Sequence, residues 1–127
     1  MKIKFSKAWK SSKQPRKQRK YRFNAPLHIK QKFMHAHLSK ELRKKYNKRN
    51  IGLKKGDTVK IARGQFKKHI GKVDRIDLKK TRVYVSGVEI TKKDGTKTTY
   101  PIHPSNLVIT EMNIDDKMRQ KILDRKK

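Results

Sequence analysis

The first 50 residues carry 18 lysines and arginines against a single glutamate. Like charges at that density repel one another, so a compact fold built from this segment alone is ruled out. Across all 127 residues there are 38 basic and 10 acidic side chains, a formal net charge of +28, and only 32% of residues are hydrophobic. That supplies one small core, without a large apolar cleft besides. The excess is uneven: +17 over residues 1–50, +9 over 51–110 and +2 over 111–127. The distribution describes a basic arm joined to a folded module whose partner is a dense polyanion. Nucleic acid is the first candidate and an acidic membrane surface a weaker one. The longest apolar runs are a few residues, too short for a transmembrane span or a signal-peptide core. With no cysteine, disulfides, thiolate metal sites and cysteine nucleophiles are excluded.

Residues 1–24 form the basic extension. Its KIKFSKAWKSSKQPRKQRKYRF run lacks helical or strand periodicity, and Pro15 interrupts the most basic part. It is predicted to be disordered in the free protein and to order against phosphates. Trp9, Tyr21 and Phe23 lie among the cations, placed either to stack on bases or to pack on the module. Residues 25–50 read as a basic helical segment. Asn24-Ala25-Pro26 resembles a helix start with Asn24 as N-cap, and Leu27, Met34, Leu38, Leu42 and Tyr46 form one apolar stripe. Ser39 can cap a second helix, so one or two helices fit. The other face carries Lys30, Lys32, Lys40, Arg43, Lys44 and Lys45, spread as cations along a nucleic-acid backbone would require.

From Ile51 the period changes to two, and residues 51–112 read as a small closed barrel of about five short strands. Val59, Ile61, Val73, Val83 and Val85 are the expected core. Val73 and Ile76 are out of phase, which predicts a bulge near Asp74 or Arg75. Asp94-Gly95 predicts a hairpin of type I′ character, and Leu107-Val108-Ile109 a closing strand. Between Gly64 and Gly71, which permit positive φ or close backbone approach, a loop presents Phe66, Lys67, Lys68 and His69: one ring to stack and cations for phosphate. Residues 113–127 read as a docking helix capped by Asn113. Ile114, Met118 and Ile122 share one face, and Arg125, Lys126 and Lys127 complement the dipole in the final turn.

Catalysis and metal binding find little support. His35 and His37, two apart, fall on different faces of a helix, and only Glu41 is near them. Most of the ten carboxylates sit among Lys and Arg, with no Ser-His-Asp arrangement and no phosphate-cradling Gly-rich loop. The expected protein is not an enzyme and uses no cofactor, metal or small-molecule substrate. His28, His69 and His103 read as RNA-facing donors or caps.

The stretch KKGDTVKIARGQFKKHIGKVDRIDLKKTRVYV resembles the KOW-motif family. The arm Lys13 to Lys20, Ala25-Pro26-Leu27-His28, Leu38-Ser39-Lys40-Glu41-Leu42-Arg43 and Ile102-His103-Pro104-Ser105-Asn106 extend the likeness over nearly the whole chain. They make it similar to the archaeal and eukaryotic form of the large-subunit ribosomal protein twenty-four family. The resemblance implies an SH3-like barrel with a basic N-terminal extension, short N-terminal helices and a C-terminal helix. It further implies a non-catalytic, cytoplasmic constituent of the large ribosomal subunit, with other ribosomal proteins as neighbours. Such a protein binds large-subunit ribosomal RNA near its 5′ end, assembles early and lies near the polypeptide exit tunnel, away from membranes. RNA contact carries over onto Lys13, Arg16, Lys17, Arg19, Lys20, Arg22, His28, Lys30 and Lys32. In the second helix and the turn after it the residues are Arg43, Lys44, Lys45, Lys48 and Arg49. In the module they are Arg63, Gly64, Phe66, Lys67, Lys68, His69, Lys72, His103, Ser105 and Asn106. Similar proteins have glycine where this chain has Lys68, so glycine-type geometry does not follow there, and an added phosphate contact is the alternative. A KOW-bearing transcription factor would bring a polymerase-docking domain, for which 127 residues leave little space. An architectural DNA-binding protein would prefer duplex DNA.

Overall fold

In the computed structural model, which describes residues 5–6 and 11–125, the alternating valines and isoleucines turn one face of each strand inward. The elements are α1 (Pro15–Asn24), α2 (Leu27–Phe33), β1 (His35–Leu38), α3 (Lys40–Tyr46), β2 (Asn50–Gly52), β3 (Thr58–Ile61), β4 (Ile70–Asp77) and β5 (Arg82–Val85). They continue with β6 (Glu89–Thr91), β7 (Lys97–Thr99), a 3-10 turn (Pro104–Asn106), β8 (Leu107–Glu111) and α4 (Lys117–Asp124). Six strands form one sheet in the order β2-β1-β8-β3-β4-β5, and β6 and β7 form a separate hairpin. Among the described residues, only β1 and β8 pair in parallel. A bridge between Val83 and Ile102 ties β5 to the segment that leads into β8. The fold is mainly β and barrel-like, with short N-terminal helices and a C-terminal helix. Val59, Ile61, Val73, Val83 and Val85 are all buried, joined by Met34, Ala36, Leu38, Leu107 and Ile109. Each of the larger aliphatic side chains contributes roughly 1.5–3 kcal/mol of burial.

Several expectations are corrected. The arm is helical over Pro15–Asn24, with Pro15 in the first turn where its missing N–H costs nothing. Tyr21 anchors it: its ring centroid lies 4.9 Å from Phe5 and 6.3 Å from Phe33. Asn24 therefore ends a helix, and Pro26 occupies the N-cap position of the next. Trp9 lies outside the described residues. Met34 and Leu38 do not continue a helical stripe, because β1 intervenes between α2 and α3. Its Ala36 and Leu38 point into the core between β2 and β8. On a strand, His35 and His37 share a face, not opposite ones. Ser39 does cap the following helix, its Oγ accepting from Leu42 N at 3.3 Å.

The bulge falls between Val73 and Arg75, as the phase slip predicts. The β6–β7 turn differs from type I′, which needs positive φ at both central residues. Only Gly95 has it, at φ +81°, and Gly95 N donates to Lys92 O at 3.0 Å. That is a type I turn followed by a glycine bulge.

The C-terminal helix docks by a different face. Asp116 caps it, accepting from Met118 N at 2.8 Å, while Asn113 Oδ1 accepts from Asp115 N in the turn before. Met118 and Ile122 are 65% and 45% exposed, whereas Arg119 and Leu123 are buried. Ile114 packs partly on the core. Arg119 donates to both carboxylate oxygens of Asp57, at 2.6 and 2.7 Å, and to the carbonyl of Asn113 at 2.8 Å. Lys54 N and Asn113 N also donate to the Asp57 carboxylate. Arg125 follows the helix as its C-cap and is not in its final turn; Lys126 and Lys127 lie outside the described residues.

Candidate nucleic-acid interface

The loop joining β3 to β4 is shaped by its own backbone. Lys67 N donates to Gly64 O, Lys68 N to Ile61 O and His69 N to Phe66 O. These bonds fold it tightly enough to require left-handed residues at Gly64 (φ +97°) and at Lys68 (φ +75°). The glycine-type geometry is thus kept without the glycine, and Lys67 and Lys68 project into solvent. Gly71 serves the other expected purpose: a Cβ there would lie 2.6 Å from Ser86 O. His69 Nε2 donates to Ser86 O at 3.0 Å, a carbonyl being only an acceptor, which fixes the ring beside Gly87. Phe66 is half-buried against the core, 5.4 Å from the Tyr100 ring.

Alongside runs the 3-10 turn. Ala62 N donates to Asn106 O at 2.8 Å, drawing Arg63 and Gly64 against Pro104–Asn106. His103 Nδ1 accepts from Ser105 N at 3.3 Å and meets Ser105 Oγ at 2.8 Å, which leaves the proton of the neutral ring on Nε2. Arg63, Gly64, Phe66, His103 and Asn106 line one groove with Arg82 and Tyr100, two residues absent from the sequence-based set. The antiparallel bridge Val83–Ile102 sets Arg82 opposite His103. Its outward phase against Val83 and Val85 was the available signal; its neighbour across the sheet was not. Partial burial, then the guanidiniums of Arg82 and Arg22, hold the His103 pKa below its ordinary 6.5. The charge of Arg22, on α1, is thus felt at His103.

The remaining cations fall into separate groups. Lys13, Arg16, Lys17, Arg19 and Lys20 are exposed on or just before α1. Arg43, Lys48 and Arg49 line a second groove at the end of α3, where Lys44 and Lys45 are exposed. Lys48 is engaged within the protein: its Nζ donates to the carbonyls of Ile122 and Arg125 at the end of α4. Arg43 Nε donates to Leu38 O at 2.8 Å, and Lys30 Nζ lies 3.5 Å from Lys79 O. His28 and Lys32 on α2 and Lys72 on β4 are exposed. The set is therefore not one continuous patch. Arg63, Gly64, Phe66, His103 and Asn106 converge with Arg82, with Ser105 at their edge.

A family model that describes the eukaryotic L26 and archaeal L24 ribosomal proteins matches residues 12–126. The large ribosomal subunit protein uL24 of Methanothrix thermoacetophila is 56% identical over 114 residues, which span 90% of this chain and 98% of that protein. With its mainly-β module, its loop between Gly64 and Gly71 and its basic helices all inside the matched region, the chain belongs to this family of eukaryotic L26 and archaeal L24 ribosomal proteins.

Proposed function

We propose that the chain, a structural constituent of the large ribosomal subunit, binds large-subunit ribosomal RNA directly. The observation that carries this reading is the meeting of Arg63 and Arg82 in the groove beside His103, where the charge of Arg22 is also felt. Two guanidiniums gathered there repel one another until an anion enters, and phosphates meet that need. The arm and α3 then follow the RNA backbone on either side, with neighbouring ribosomal proteins as further contacts. Binding near the 5′ end of the RNA, early in assembly and close to the polypeptide exit tunnel, follows from the family resemblance. The role calls for no catalytic group or small-molecule substrate, and no described helix is long and apolar enough to cross a membrane.

The test compares affinity for fragments of large-subunit ribosomal RNA with affinity for duplex DNA of equal length. A clear preference for a fragment containing the 5′ region is expected at moderate salt. Equal affinity for RNA and duplex DNA would overturn the reading.

A further inference from the structure

We infer that Phe23 is the ring with which the arm stacks on an unpaired base of the ribosomal RNA, an inference that rests on the RNA-binding reading above. The two aromatic residues of α1 are not equivalent. Tyr21 faces inward and packs between Phe5 and Phe33. Phe23 lies two positions on, roughly 200° further round a helix that advances about 100° per residue. It is 80% exposed, far more than an aromatic side chain needs to be on a folded surface. Its neighbours on that face, three, four and seven positions earlier, are Lys20, Arg19 and Arg16, all exposed. The helix has no carboxylate to neutralise them.

A bare apolar disc with three exposed cations on the same helix face matches one kind of partner closely. A nucleotide offers a flat π-surface and, a few ångströms away, an anionic phosphate. A fully paired duplex presents the phosphates and hides the base faces. The ring in the β3–β4 loop does not match this description, since Phe66 is already half-covered by Tyr100 and the core. Tyr21 is likewise held within the protein.

The experiment titrates the full-length protein with large-subunit ribosomal RNA and with a fully paired RNA duplex, each over a range of salt. Phe23→Ala should weaken binding to the ribosomal RNA by about 5- to 150-fold and leave the duplex unaffected. The slope of log affinity against log salt should not change, because no cation is lost. Phe23→Trp should restore affinity. A variant with Arg16, Arg19 and Lys20 all changed to Ala should lower the slope on both nucleic acids. Phe23→Ala binding like the wild type while the triple variant loses slope would overturn the stacking role and leave RNA binding by the arm intact. Equal weakening on both nucleic acids would also overturn it. If neither variant alters RNA binding, the arm does not bind RNA and both readings of it fail. A loss seen only with anionic lipid vesicles would replace the base by a membrane.

Discussion

Lys68 adopts φ +75° within a loop whose other left-handed position is a glycine. An L side chain in that region costs about 1–2 kcal/mol, part of which glycine would give back as unfolded-state entropy. Lys68→Gly should therefore raise the urea midpoint, at unchanged denaturant slope, by the equivalent of about 0.5–1 kcal/mol. It should also weaken RNA binding by one phosphate contact, so stability and affinity move in opposite directions. Gly71 responds oppositely. The carbonyl of Ser86 that an added Cβ would strike is backbone and cannot swing aside, so Gly71→Ala should destabilise by about 1–3 kcal/mol. The roles of Gly64 and Gly71 were legible because glycine itself signals such backbone. Lys68 carried no such mark in its own residue type, and only the glycine of similar proteins at that position hinted at it. At His103 the prediction concerns pH. Its folded-state pKa lies below 6.5, so on acidification the unfolded chain takes up the proton first. Stability should fall as pH drops from 6.5 towards the folded value and level off beneath it. Phosphates entering beside Arg22 and Arg82 would offset their repulsion and raise that pKa. RNA binding should therefore absorb protons in this window and tighten as pH falls, and His103→Gln should abolish the effect in calorimetry run in two buffers.

Among the elements, α4 and β1 were the least legible, for related reasons. The apolar stripe Ile114, Met118 and Ile122 suggested how α4 docks, yet the helix turns in a face whose largest side chain is an arginine. A hydrophobic pattern cannot register a buried ion pair. The pair fixes the helix because the Asp57 carboxylate receives two guanidinium bonds and two backbone N–H groups from separate segments. In β1, Leu38 satisfied a helical spacing with Leu42 and Tyr46. Pairing with β2 and β8 then prevailed over that local pattern. Strands β3, β5 and β8 were readable because alternation, flanking turns and burial all agreed. Removing either partner of the ion pair leaves a buried charge uncompensated, so Asp57→Ala and Arg119→Ala should each cost about 3–5 kcal/mol. Arg119→Lys should recover little, since an ammonium cannot meet both oxygens in the plane. Met118→Ala, on the exposed face, should lie within about 0.5 kcal/mol of the wild type, as surface substitutions usually do. Chemical denaturation of the four proteins checks this, and a large effect at Met118 would return docking to the apolar stripe.

For the whole molecule, the separation of charge from core was legible at once, because 17 of the 28 net charges precede residue 51. How many of them reach phosphates was not, since part of the cationic surface is occupied within the protein. Lys48 holds the end of α4, Lys54 pairs with Asp116 and Arg119 is buried. The thermodynamic number of contacts must therefore be well below the formal charge. With on the order of ten phosphates neutralised, log affinity should fall with log salt by about 0.7–0.9 per contact. The arm's share can be separated from the rest, because α1 contributes no buried residue and the six strands pair without it. Deleting residues 1–24 should leave the β-type circular dichroism in place and reduce the slope by the contribution of the arm's cations. What remains should be the slope of the β3–β4 loop, the 3-10 turn and α3. An unchanged slope would mean that the arm's cations meet no phosphate. A lost β signal would mean that the packing of Tyr21 on Phe33 helps to hold the sheet, which its position at the end of a helix without buried residues argues against.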